Sequence, residues 1–135
     1  MTSTPSGNCL CGKHIPFPFC CEPYISGVTL PPTAEILMRS RYSAYATHSI
    51  AYILQTTHPK DRQKISIPAI QEWLTEVNSW DKLEIIRTEK GSEKDTKGKV
   101  EFVAHYQHLG KPSFIHENSL FSKVEGTWMY ELAKP

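Results

Sequence analysis

No cysteine follows Cys21, no run of eighteen apolar residues occurs anywhere, and charge of neither sign dominates. Each shortage removes a class of function. Without a long apolar stretch, nothing in the sequence reads as a membrane-spanning helix. Fifteen Lys and Arg against fourteen Asp and Glu leave a formal charge of +1, which provides no broad basic footprint for nucleic acid. The glycine-rich phosphate loop, the nucleophile elbow and the His-Glu-x-x-His pair are all missing, so the common nucleotide-binding, hydrolase and metalloprotease signatures do not apply. Ser40, Ser43 and Ser119 stand in no context that would activate a hydroxyl. What is there, 135 residues that are 39% hydrophobic and 21% charged, is enough to bury the core of one globular domain.

The cysteines are crowded into the first twenty-one residues, as Cys9-Leu10-Cys11, eight residues, then Cys20-Cys21. Two disulfides could pair them in three ways, one of which demands strained near-neighbour bridges. The opening Met-Thr-Ser-Thr-Pro-Ser-Gly-Asn has neither the basic nor the apolar region of a secretory leader. The expected setting is therefore reducing and cytoplasmic, where four clustered thiols point to a metal and, by thiolate preference, to zinc. Filling all four positions with sulfur leaves none for water, so the ion is expected to be structural. His14 lies inside the intervening loop and is read as an exposed loop side chain.

After Pro31 and Pro32, Thr33 can cap a helix with Glu35 in its first turn, running to about Thr47. Leu37, Arg41, Ala44 and His48 fall on one stripe, with Met38, Tyr42 and Tyr45 beside it. A second helical piece spans Ser49 to Thr57 and stops before His58-Pro59. A third starts near Pro68 and places Ile70, Trp73, Leu74 and Val77 on one face. Beyond Trp80 the period becomes two, with strands expected over 83–88, 100–109, 114–124 and 127–132. A charged tip over Glu89 to Gly98 joins the first two. Helices followed by an antiparallel meander make an α+β domain.

Alternation turns Phe102, Ala104 and Tyr106 inward, together with Ile115, Glu117, Ser119 and Phe121 on the next strand and Trp128 and Tyr130 on the last. His116 then points to the opposite face. Glu117 thus becomes a carboxylate among aromatic side chains, and a buried charge requires a partner. Arg41 on the covering helix is the expected one. The candidate pocket comprises Arg41, Tyr42, Tyr45, Trp73, Tyr106, Glu117, Ser119, Trp128 and Tyr130.

Two sets of residues resemble known families. Cys-x-Cys-x8-Cys-Cys resembles the SEC-C zinc motif, named from the tail of the SecA translocation ATPase. Thr33 to Tyr45, Thr57-His58-Pro59, Val100 to Tyr106, His116 to Phe121 and Gly126 to Tyr130 resemble the bacterial YchJ-like family. The resemblance implies a SEC-C type zinc motif over 1–30, with Cys9, Cys11, Cys20 and Cys21 as ligands. Over 31–135 it implies an NTF2-like cone, helices packed on a curved antiparallel sheet. The chain departs from the family in its loop, Gly12-Lys13-His14-Ile15, and in ending Glu131 to Pro135 without the second cysteine motif some relatives carry.

The family's biochemical role is unassigned. Because the SEC-C motif of the ATPase serves protein contact, the resemblance implies a non-enzymatic module that meets another protein through Ile15, Phe17, Phe19 and Tyr24, or binds a small apolar ligand in the cone. The alternative is an NTF2-like enzyme acting on a small apolar carbonyl compound. Glu117 would abstract a proton, and Tyr42, Tyr45 or Tyr106 would donate to the oxyanion. A third reading has zinc only stapling the amino-terminal segment to the cone.

Overall fold

The computed structural model describes residues 8–132. A 3-10 turn at Phe17–Phe19 and a one-turn helix α1, Glu22–Ile25, form the cysteine segment. Four helices follow, α2 Ala34–Ala46, α3 Ile50–Gln55, α4 Pro59–Arg62 and α5 Ile67–Glu76. The remainder is an antiparallel sheet of β1 Val77–Lys90, β2 Lys97–His108, β3 Lys111–Val124 and β4 Thr127–Glu131, in spatial order β1-β2-β3-β4. This is the expected α+β meander, with the helical layer on one face.

Local chemistry sets the start of α2. The Thr33 hydroxyl accepts the Ile36 N–H at 3.1 Å, satisfying one of the donors a helix start leaves unpaired. The buried stripe then runs through Leu37, Met38, Arg41, Tyr42 and Ala44, and packs on Leu83, Val100, Phe102, Ala104 and Phe121 of the sheet. His48 leaves that stripe: it is exposed and lies in the left-handed region at φ 58° after the helix has ended. Trp128 of β4, 1% exposed, donates its indole N–H to the Pro32 carbonyl at 3.1 Å and locks the last strand to the approach of α2.

Three boundaries differ from the sequence pattern. Val77 opens β1 instead of closing the α5 stripe, because its backbone is already extended at ψ 118°. The strand therefore begins six residues before Leu83, and register shifts between Val77 and Ser79, Trp80 and Lys82, and Ile85 and Arg87 erase its period of two. His58 does not end a helix but begins one, its Nδ1 accepting the Lys60 N–H at 3.2 Å as the cap of α4.

The free edge of β4 is covered by the segment between α3 and α4. Tyr130 N–H donates to the Thr56 carbonyl at 2.8 Å, and His58 N–H donates to the Tyr130 carbonyl at 2.7 Å. That pairing removes an exposed strand edge and fixes Thr56 and Thr57 beside Tyr130.

The charged hairpin tip is shorter than its composition suggests, since the strands continue to Lys90 and from Lys97. Its charges face solvent, but Gly91 and Gly98 are buried, and the Ala34 N–H donates to the Gly91 carbonyl at 3.0 Å. Gly91, at φ 82°, supplies the turn conformation that side chains resist. A Cβ placed on Gly98 would stand 2.5 Å from the Gly91 Cα. Gly98→Ala is therefore expected to cost about 1–3 kcal/mol through backbone displacement, measured as a lower urea midpoint; an unchanged midpoint would show that the Gly91 and Gly98 backbones are not held in contact.

Candidate functional site

Cys9 and Cys11 lie on a turn closed by Cys9 N–H to the Ile15 carbonyl at 2.7 Å and Gly12 N–H to the Cys9 carbonyl at 3.3 Å. Gly12 takes φ 99°, which lets the chain reverse directly after the second sulfur. Cys20 and Cys21 bridge the end of the 3-10 turn and the start of α1, where Tyr24 and Ile25 N–H groups bond the Cys21 carbonyl. The four Sγ atoms lie within 4.8 Å of one another, Cys11 and Cys20 at 3.5 Å. A tetrahedral ion with metal–sulfur bonds of about 2.3 Å needs sulfurs about 3.8 Å apart, so the donor set fits one metal.

All four thiols are free and buried. Their protons are unequally held. Hydrogen bonds from Cys11 and Cys21 stabilise the Cys9 thiolate and lower its pKa. Burial, then repulsion from Cys11, pushes Cys20 up to about 12, and hydrogen bonding to the Cys11 and Cys9 sulfurs raises Cys21. A divalent cation among them would replace those protons as the balancing charge.

Helix α2 receives this cluster. Arg39 Nη1 donates to the Cys11 carbonyl at 2.6 Å and its Nε to Glu35 Oε2 at 2.9 Å, while the Ser43 hydroxyl lies 3.3 Å from Cys9 Sγ. Leu10, Tyr24 and Ile25 pack on the main core. Of the four apolar residues expected to face a partner, Phe19 is 79% and Ile15 39% exposed. Phe17 packs against the sulfurs and Tyr24 against the core, so both are half-buried.

On the opposite side of α2 the cone contains a cavity of about 300 Å³, open at one end and lined by α2, α5 and the concave sheet face. Its walls are Met38, Tyr42, Tyr45, Ile70, Trp73, Trp80, Phe102 and Ile115. The polar end holds Arg41, Glu117 and Tyr130. Arg41 is 4% exposed. Its Nη1 donates to the Ile53 carbonyl at 2.9 Å, to Thr56 Oγ1 at 2.7 Å and to Thr57 Oγ1 at 3.3 Å. The guanidinium carbon lies 4.4 Å from the Tyr130 ring centroid, a cation–π contact. Glu117 Oε1 accepts from the Ser119 hydroxyl at 2.9 Å and the Tyr130 hydroxyl at 3.3 Å. Burial and then the Glu117 charge push Tyr130 up to about 12, which keeps it a donor at neutral pH.

The family model for the YchJ middle NTF2-like domain matches residues 33–133. The chain is 43% identical over 122 residues to a UPF0225 protein of Geobacter sulfurreducens, covering 90% of this chain and 75% of that one. It is 38% identical over 126 residues to a UPF0225 protein of Streptomyces coelicolor, covering 93% and 94%. The chain belongs to the YchJ-like family. Two solved structures share the fold. A SEC-C motif containing protein from Rhodopseudomonas palustris superposes with a TM-score of 0.83 at 33% identity, over 93% of this chain and 95% of that one. One from Psychrobacter arcticus does so with 0.80 at 27%, over 94% and 81%.

Within this YchJ-like cone the expected pocket residues separate. Arg41, Tyr42, Tyr45, Trp73, Glu117 and Tyr130 line the cavity; Tyr106, Ser119 and Trp128 do not. Tyr106 stacks behind Trp73 and Trp80 with centroids 5.4 and 5.3 Å away, Ser119 sits beneath Glu117, and Trp128 is a strut in the core. The direct Arg41–Glu117 ion pair is not formed among the described residues. The acceptors from α3 and Thr56–Thr57 hold the guanidinium instead, and Tyr130 stands between the two charges. Tyr42 presents its ring; its hydroxyl is buried without a hydrogen-bond partner and lies near Asp81 and Lys82 of β1, and burial raises its pKa. His116 points outward as expected, 2.7 Å from Glu101.

Sequence reasoning missed Trp80 and Phe102 as cavity walls. Trp80 marks the end of the helical pattern, and only the irregularity between Trp80 and Lys82 turns it inward. Phe102 was legible as inward-facing but not as exposed to open space.

Arg39 is the cysteine segment's main polar tie to α2. Arg39→Ala is expected to lower stability by about 2 kcal/mol, the range for a hydrogen bond to a charged group, in urea denaturation, and to speed reaction of the four thiols with a maleimide in metal-free protein. A variant as slow to react as wild type would mean that the segment docks without Arg39.

Proposed function

We propose that the protein is a zinc-stapled binding module whose cone takes a small, largely apolar molecule. The observation that carries this reading is the cavity itself, which stays open although its walls are aromatic and aliphatic and interiors ordinarily close to near-crystalline density. A volume of about 300 Å³ accommodates roughly ten to fifteen non-hydrogen atoms. Aromatic walls with a few polar groups at one end are the usual composition of such sites.

Zinc in this reading is structural, held by Cys9, Cys11, Cys20 and Cys21. Four sulfurs complete a tetrahedron, and binding to an otherwise weakly apolar segment becomes folding energy. The staple draws support from Arg39, Ser43 and the inward packing of Tyr24. Contact with another protein would rest on Phe19 and Ile15, the two exposed apolar side chains beside the sulfurs.

Catalysis has weaker support. Glu117 could serve as a base, but its Oε1 is already occupied, Tyr130 is turned toward it, and the Tyr42 hydroxyl is aimed at β1. A proton acceptor without converging donors is half of the machinery for enolisation.

Reduced protein is expected to carry one equivalent of zinc by elemental analysis, and Cys11→Ser to lose it together with several degrees of melting temperature. A chain that is metal-free as isolated and insensitive to chelator would sink the staple. Ethylbenzene titrated into the zinc-loaded protein is expected to shift amide resonances of Phe102, Ala104 and Trp73. Ala104→Ile, which fills space at the sheet face and is checked for zinc content and cooperative melting, should weaken that binding at least tenfold; equal binding would remove the cone as the site.

A further inference from the structure

The polar end of the cone carries one fixed charge of each sign, unpaired with each other, and each has atoms left over. Arg41 commits only Nη1 to protein acceptors; among the described residues Nε and Nη2 have none. Glu117 commits only Oε1; among the described residues Oε2 has no protein donor. Both residues line the cavity, Arg41 over the Tyr130 ring and Glu117 at its hydroxyl. A guanidinium that is 4% exposed, lines the cavity and has two donor nitrogens uncommitted to protein is an anchor able to take an acceptor there.

The charge balance restricts what can satisfy it. The two side chains sum to zero. A carboxylate ligand would suit Arg41 but bring a second negative charge beside Glu117 in an apolar enclosure, and an ammonium would suit Glu117 but face Arg41. Like charges in low dielectric repel strongly. A neutral head group carrying an acceptor next to a donor meets both demands without adding charge. Resting on the binding-module reading above, we infer that the cone selects neutral apolar molecules with a carboxamide head, the carbonyl oxygen accepting from Arg41 and the N–H donating to Glu117 Oε2. The carbonyl oxygen and nitrogen of an amide are about 2.3 Å apart; with a hydrogen bond of about 2.9 Å at each end such a head can bridge groups up to about 8 Å apart. The remaining wall of Tyr45, Trp73, Trp80 and Ile115 suits a phenyl or short alkyl body.

The test is a matched series titrated into the zinc-loaded full chain and followed by amide chemical shifts: ethylbenzene, phenylacetamide, N,N-dimethylphenylacetamide, phenylacetate and phenethylamine. Phenylacetamide is expected to bind at least tenfold more tightly than ethylbenzene, than either ion, and than the dimethyl amide, which keeps the carbonyl but lacks the donor. Glu117→Gln, checked for zinc content and melting temperature, removes the negative charge. It should weaken phenylacetamide about tenfold, leave ethylbenzene unchanged and tighten phenylacetate, because Arg41 is then unopposed. A purely structural role for Glu117 would move all ligands together. Equal affinity for ethylbenzene and phenylacetamide, or tightest binding by either ion, overturns the selectivity while leaving the binding module standing. Failure of every compound to bind overturns both.

Discussion

A guanidinium taken out of water must be solvated by the protein, and the helical layer is arranged to do so for Arg41. Its Nη1 gathers one carbonyl and two hydroxyls from the end of α3 and the residues after it. Those same residues, Thr56 to His58, exchange backbone hydrogen bonds with Tyr130 and close the sheet edge. The tyrosine brought there supplies its ring to the guanidinium and its hydroxyl to Glu117. One buried cation thus organises the α3–α4 connection, the last strand and the polar end of the cavity, and among the described residues it does so without an ion-paired carboxylate. Removing it would withdraw a charged donor from three acceptors at once.

The sulfur cluster solves a different problem. Residues 8–30 contribute few side chains to the main core, chiefly Leu10, Tyr24 and Ile25, too little apolar area to order the segment unaided. Four ligands converging on one ion would supply the missing energy, and Arg39 and Ser43 join the segment to α2. Gly12 matters here for space as well as for its backbone angle, since a Cβ there would meet Arg39 Nη1 at 3.2 Å and the Leu83 carbonyl at 3.3 Å. The cysteine turn is therefore pressed between α2 and β1.

Features decided by neighbours in sequence were legible: the Thr33 cap, the buried face of α2, the inward alternation of β2 and β3, and the four-sulfur donor set. What escaped depended on residues far apart. Nothing around Arg41 announces that its acceptors would be a carbonyl and two threonines 12 to 16 residues on, because neutral acceptors leave no charge pattern, whereas the carboxylate of Glu117 does. The early start of β1 was hidden by three irregularities that break the alternation. Trp80 was lost for the same reason. Whether a cone is filled or open depends on summed volumes across three elements, which periodicity does not report.

The cavity survives because its walls brace one another. Tyr45, Trp73, Trp80 and Tyr106 meet mainly edge-to-face or tilted, with centroids 5.3 to 6.4 Å apart, arrangements that satisfy the ring quadrupoles. Collapse into the space would exchange those contacts for less favourable ones and drag Arg41 from its acceptors. Helix α2 carries Arg39 and Ser43 toward the sulfurs, and Met38, Arg41, Tyr42 and Tyr45 toward the cavity, so both sites are built on opposite faces of thirteen residues. A packed helix moves as a unit, not face by face. A displacement that loosened the cysteine turn would also shift the cavity wall, and linkage requires that whatever steadies α2 at one face favours the ordered state at the other. The cysteine segment and the cone thus share one helix, although their chemistry has nothing in common.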